Sequence, residues 1–189
     1  MPLSGGIRPE ADAQPGAGSR THGWDTAAMH VHLGADHAGF ELKVYLARHL
    51  RAAGHEVVDH GPEAYDAEDD YPTYCLRAAE GVVADPGSLG VVMGGSGNGE
   101  QMAANKVRGV RAALAWSRDT AVLARSHNDA NVIAIGARMH ALDEAAALVD
   151  AFLAESFSGD ARHARRIAMM SDYELTRILP SIPVPPGPA

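Results

Sequence analysis

The chain is poor in cysteine, aromatics and long apolar runs, and each shortage excludes something. One cysteine in 189 residues, Cys75, leaves no internal disulfide framework. No cysteine cluster and no His-Glu-x-x-His pair offers a metal ion a ligand set, and His30 and His32, which share one strand face, make a poor substitute. Sixteen basic residues against 24 acidic ones give a formal charge of −8, which argues against a nucleic-acid partner, because phosphate backbones are held by basic surfaces. No apolar stretch approaches the ~20 residues that span a bilayer. The first residues lack the charged and apolar regions of a secretory signal. These features lead us to expect a cytoplasmic protein with no membrane association.

What is present reads as one α/β domain. A chain of this length can bury roughly 70% of its unfolded surface. Residues 1–28, rich in Gly, Ala, Pro and Ser, read as a disordered extension, with Met29 as a candidate alternative start. A domain over 29–179 follows, then a Pro-rich extended tail over 180–189. Within the domain, strand-like runs at His30–Gly34, Glu56–Asp59, Leu89–Met93, Ala112–Trp116 and Val132–Ile135 alternate with helical patterns. The helices are expected over Glu41–Ala53, Pro72–Ala84, Glu100–Lys106, Thr120–Ser126, Leu142–Glu155 and about Asp160–Ile178. Such alternation implies a parallel sheet covered on both faces, with ligands at the carboxyl ends of its strands.

The most informative stretch is Val91-Val-Met-Gly-Gly-Ser-Gly-Asn-Gly-Glu100: an apolar run, four glycines in six residues, then a carboxylate. A strand that breaks into such a turn and restarts as a helix presents backbone N–H groups to an anion. Glu100, a potential general base, stands beside that cradle. The loop fails the dinucleotide fingerprint, since the third glycine position from Gly95 and Gly97 is Glu100 itself. It also fails the Walker pattern, because Lys106 lies too far into the following helix. A proton-abstracting base beside an oxyanion cradle suggests an enolising enzyme. Other strand ends carry Asp36 and His37, then His127 and Asn128 before the fifth strand, and Arg138 after it. Arg162 and Arg166, four residues apart, share a helix face suited to a phosphate dianion.

Taken together, Gly34-Ala-Asp-His-Ala-Gly39, Asp70-Tyr-Pro72, Gly94-Gly-Ser-Gly-Asn-Gly99, Ala103-Ala-Asn-Lys106, His127-Asn128 and Arg162-His-Ala-Arg-Arg166 carry a resemblance. From about Val31 to Tyr173 the chain resembles the type B ribose-5-phosphate isomerases, in the family that also holds galactose-6-phosphate isomerase subunits. The resemblance implies a Rossmann-like three-layer α/β/α sandwich with a five-stranded parallel sheet and a C-terminal helix. It implies interconversion of an aldose phosphate and a ketose phosphate in the pentose phosphate pathway, with no metal and no cofactor. By the same resemblance Asp36 and His37 contact the sugar, Gly95, Ser96, Gly97, Asn98 and Gly99 form the anion hole, and His127 assists ring opening. Asn128 holds a sugar hydroxyl, and Arg138, Arg162 and Arg166 bind phosphate. The implied assembly is a homodimer whose active sites draw on both subunits. Many members carry a catalytic cysteine at the position of Gly94; its absence aligns the chain with the subgroup that uses a glutamate at the position of Glu100. Cys75 then reads as packing. The alternatives at this level are a six-carbon substrate, such as allose or galactose 6-phosphate, and a non-catalytic phosphosugar sensor.

Overall fold

The computed structural model describes residues 28–183. The expectations for residues 1–27 and 184–189 lie outside the described residues; Pro180 to Pro183 are exposed and belong to no regular element. Eleven elements alternate along the chain: β1 (His30–Ala35), α1 (Phe40–Ala52), β2 (Glu56–Asp59), α2 (Tyr71–Ala84), β3 (Leu89–Gly94), α3 (Asn98–Ala104), β4 (Ala112–Leu114), α4 (Arg118–Asn128), β5 (Val132–Gly136), α5 (Leu142–Ala154) and α6 (Ala161–Thr176). All strands pair in parallel, in the order β2-β1-β3-β5-β4.

Burial follows that order. Every residue of central β3 and β5 is buried, as a strand covered on both faces requires. The edge strands β2 and β4 are only four and three residues long and are half-buried, which limits the exposed edge. On one face Leu33, Met93, Ile133 and Ile135 pack against Leu46 and Leu50 of α1, Ala121 of α4 and Phe152 of α5. The other face is tighter and built of small residues: Val92 and Ala134 of the sheet meet Ala78, Ala79 and Val82 of α2 and Ala104 of α3. Glycines in the strands make that approach possible. A Cβ on Gly34 would lie 2.6 Å from the Tyr74 carbonyl oxygen, and one on Gly90 would lie 2.8 Å from Val82.

The helix ends show how tertiary context moves the expected boundaries. Helix α3 begins at Asn98, two residues before the expected start, so Glu100 lies inside the helix rather than opening it. A Ser117–Thr120 capping box starts α4, with Ser117 Oγ accepting from Thr120 N (3.3 Å) and Thr120 Oγ1 from Ser117 N (3.1 Å). That helix runs on through His127 and Asn128 and closes at Asp129 in the left-handed region (φ 43°), where Arg125 and Arg111 grip the Asp129 carboxylate. A buried Lys43 ties α1 to the end of β2, its Nζ donating to both Asp59 oxygens (2.8 Å) and to the Pro62 carbonyl (2.7 Å).

Strand order also places the site. From β1 the chain moves to one side of the sheet to form β2, while β3 lies on the other side of β1. The crevice between the carboxyl ends of β1 and β3 is therefore a topological switch point, where open α/β sheets bind ligands.

Candidate active site

Two chain segments leave the sheet at that switch point. The first, after β1, carries Asp36 and His37; the second, after β3, is the glycine loop. Asp36 is buried, its N–H donating to the Met93 carbonyl (3.4 Å) and its Oδ1 accepting from Gly39 N (3.1 Å). The loop turns on Gly97, which has φ 81° and would press a Cβ to 2.6 Å from Leu114 and 3.0 Å from Gly136 N. Both the dihedral and the close approach demand glycine. Intrahelical bonding in α3 begins with Gln101 N donating to Gly97 O, so the amides before it belong to the loop. Ser96 Oγ accepts from Asn98 N (3.4 Å) and Asn98 Nδ2 (3.2 Å). With its acceptor capacity so used, the Ser96 hydroxyl has its one proton to donate outward.

Glu100 is 4% exposed, and its Oε2 has no hydrogen-bond partner. Its carboxylate folds back over the end of β3 and fills the space a Gly94 side chain would take. Burial raises its pKa above the ordinary glutamate value, and the charge of Asp36 adds to the rise; its own N–H and that of Gly97 pull the other way. A carboxylate whose charged form is disfavoured by burial is a stronger base than one in water. Cys75 lies behind it, fully buried, its thiol held protonated by burial first and then by the charges of Glu100 and Asp36. That matches the packing role.

Arg138 closes the mouth. Its N–H donates to Gly95 O (3.1 Å), and its Nη1 lies 3.5 Å from where a Cβ on Gly95 would stand. Beside the loop a cavity of about 370 Å³ is lined by Ser96, Asn98, Leu114, Trp116, Met139 and His140. Sequence reasoning missed Asp69, whose Oδ1 accepts from both His37 N (2.8 Å) and His37 Nδ1 (2.9 Å). The run Glu68-Asp69-Asp70 before a helix start was its available signal.

The remaining site residues gather elsewhere. His127 and Asn128 end α4, and His163 of α6 packs its ring on His127 at 4.1 Å between centroids. Arg162 Nε donates to His163 Nε2 (2.9 Å), so His163 is the Nδ1–H tautomer and donates to the His127 carbonyl (3.0 Å). Arg162 and Arg166 are exposed on the same helix. This group sits where the chain enters β5, at Val132, which pairs with Gly90 at the start of β3. Glu100 lies beyond the other end of β3. The six residues of β3 at ~3.3 Å each separate the two groups by roughly 15–20 Å. Within one chain, then, Asp36, His37, Ser96, Glu100 and Arg138 are together, and His127, Asn128, Arg162 and Arg166 are together, at opposite ends of the sheet.

Among the described residues no helix is long and apolar enough to cross a membrane, and no group of three or more His, Cys, Asp or Glu is placed to hold a metal ion.

Known proteins resemble this chain in sequence and fold. The Ribose/Galactose Isomerase family matches residues 31–170. Ribose-5-phosphate isomerase B of Mycobacterium tuberculosis (strain CDC 1551 / Oshkosh) is 58% identical over 163 residues, covering 86% of this chain and 99% of that protein. The Escherichia coli K12 enzyme of the same name is 37% identical over 147 residues, 78% of this chain and 97% of that one. The crystal structure of ribose-5-phosphate isomerase B from Mycoplasma genitalium with bound ribulose-5-phosphate superposes with a TM-score of 0.75 at 40% identity, covering 78% of this chain and 97% of that one. With its fold, its glycine loop and its sequence all in agreement, the chain belongs to the ribose/galactose isomerase family.

Proposed function

We propose that the protein is an aldose–ketose isomerase that interconverts D-ribose 5-phosphate and D-ribulose 5-phosphate in the cytoplasm, by metal-free proton transfer through a cis-enediolate. The observation that carries this reading is the buried Glu100 carboxylate, its Oε2 without a hydrogen-bond partner, beside the glycine loop at the switch point. The relatives named ribose-5-phosphate isomerase B supply the substrate class.

The sugar is mostly a closed ring, so the ring opens first. His127 gives a proton to the departing ring oxygen while the C1 hydroxyl loses its proton to solvent, so that the ring C1–O bond breaks and the C1 carbonyl forms. Glu100 then takes the C2 proton, and charge moves onto the carbonyl oxygen as the enediolate forms. The Gly99 amide and the Ser96 O–H stabilise that charge; one such donor is worth about 3 kcal/mol in rate. The O2 hydroxyl proton passes to O1 as the C2 carbonyl forms, and Glu100 returns the abstracted proton to C1, giving the ketose. Asp36 and His37 hold sugar oxygens, Asn128 holds a hydroxyl, and the arginines bind a phosphate that does not react but positions the carbons that do.

This chemistry needs both ends of the sheet at one substrate, and the chain folds them apart. A second copy solves the problem by bringing His127, Asn128, Arg162 and Arg166 to the Glu100 of the first. A homodimer with shared sites is supported by apolar residues exposed at both ends: Met102, Trp116 and Met139 near the loop, and Met169, Met170, Tyr173 and Leu175 on α6. The test is turnover in chelator on five- and six-carbon sugar phosphates. We expect ribulose 5-phosphate from ribose 5-phosphate at a rate chelator does not change, well above the rate on allose or galactose 6-phosphate. No ketose from folded, assembled protein contradicts the reading.

A further inference from the structure

His37 is anchored in an unusual way. Its main-chain N–H (2.8 Å) and its ring Nδ1 (2.9 Å) both bond one oxygen, Oδ1 of Asp69. The two residues are 32 positions apart, joined across the crevice by the loop that precedes α2. The Asp69 side chain is 5% exposed, its Oδ2 makes no well-formed hydrogen bond, and the Tyr74 hydroxyl is the other donor facing it. A carboxylate only accepts, so Nδ1 carries the proton. With the backbone N–H and the ring held on one point, the imidazole has a single orientation, with Nε2 on the edge away from Asp69. The His37 side chain is 28% exposed, enough for that edge to meet a ligand.

We propose that Asp69 is a positioning residue of this site: by clamping His37 at two atoms it keeps a proton on Nδ1 and fixes the ring orientation in which Nε2 meets the bound sugar phosphate. The proposal rests on the isomerase reading for the identity of the ligand, but the clamp itself is testable without turnover. The charged and titratable groups facing His37 support it. Asp69 from the loop before α2 raises the His37 pKa through the hydrogen bond, and Asp36 from the end of β1 adds to the rise. Tyr65 from the same loop meets the ring edge-on at 6.4 Å between centroids. Tyr74 of α2, beside Asp69, is kept protonated by burial and then by the charges of Asp69 and Asp66, so no phenolate enters the cluster. The His37 clamp works like the carboxylate behind a metal-bound or catalytic histidine, which sets tautomer and ring orientation.

Two measurements test it. In the wild-type protein, long-range 1H–15N spectra of the imidazoles should show His37 protonated at Nδ1 and titrating above the ordinary histidine value of about 6.5. An Nε2–H neutral tautomer, or titration at or below that value, overturns the proposal with no variant needed. In Asp69→Asn the His37 titration should fall, and KM for ribose 5-phosphate should rise at least about fivefold while kcat changes less than about twofold. In a His37→Asn background the same Asp69→Asn change should cost nothing further in KM. Unchanged His37 titration, or an equal KM loss in the His37→Asn background, reduces Asp69 to a structural residue and overturns the proposal.

Discussion

The Glu100 carboxylate occupies the volume that a side chain on Gly94 would need. The two positions are thus linked: the last residue of β3 must be glycine for the base carried by α3 to fold back over the strand end. Glu100 reaches into the space that the missing Gly94 side chain leaves.

Gly94→Ala therefore tests the assignment of the base without touching its chemistry. The added methyl displaces the carboxylate, and we expect kcat to fall by about 100-fold or more, the scale of a lost general base. Circular dichroism should show the fold retained. Activity within a few-fold of wild type would show that Glu100 works from some other position.

The acid limb of the kcat profile reports the ionisation of Glu100. Because burial, and then Asp36, raise its pKa, the limb should lie above the ordinary glutamate value near 4.5. Asp36→Asn removes a like charge and should move the limb to lower pH. The same shift has a stability sign. A carboxyl whose folded pKa is raised contributes stability that is full below its unfolded value and is lost as pH rises through the folded one. Glu100→Gln should therefore melt higher than wild type at pH 8, with the difference closing toward pH 4. A Glu100→Gln protein less stable at pH 8 would show that the ionised carboxylate is well solvated after all.

Separating the site between two copies predicts complementation. Glu100→Gln and His127→Ala proteins should each be nearly inactive alone. Unfolded together and refolded, they should form mixed dimers in which one site holds both intact groups, restoring roughly a quarter of wild-type activity if subunits associate at random. Mixing that restores nothing, with mixed dimers shown to form, would place both residues in a site built by one chain.

The weak point in acid should lie on the far side of β1, where His32 Nδ1 and His60 Nε2 share one proton at 2.9 Å against Gly81 of α2. Burial, then the nearby His32, lowers the His60 pKa. A base with a depressed folded pKa contributes stability that is full above its unfolded value near 6.5 and is lost as pH falls toward the folded value. Thermal melts from pH 7.5 to 5 should show a steeper loss in the wild type than in His60→Gln, and parallel curves would contradict this.

The glycine loop and Glu100 were legible in the sequence because both needs are local. Gly97 must adopt a positive φ and admit Leu114 at close range, and the carboxylate lies three residues on. The strands were legible for the same reason, since the unbroken apolar runs of β3 and β5 read as buried on both faces. What sequence did not show is what depends on distant pairing. Nothing near His37 announces that Asp69 will hold it, because that contact is made by the loop's return across the crevice. Nor does any local pattern reveal that β5 pairs between β3 and β4, whereas the place of His127 before a parallel strand and of Glu100 after one already puts them at opposite ends of the sheet. Helix α4 extended through His127 and Asn128 because Asp129, gripped by Arg111 and Arg125, takes the left-handed turn that ends it one residue later.

The central claim is that Glu100 moves a proton between C2 and C1 of ribose 5-phosphate. Proton NMR of the sugar, incubated in D2O with chelator and either the wild-type or the Glu100→Gln protein, tests it most directly. The account predicts ribulose 5-phosphate with solvent deuterium at C1 from the wild type, and neither ketose nor deuterium uptake from Glu100→Gln although the substrate still binds. Deuterated ketose formed by Glu100→Gln at the wild-type rate would contradict it.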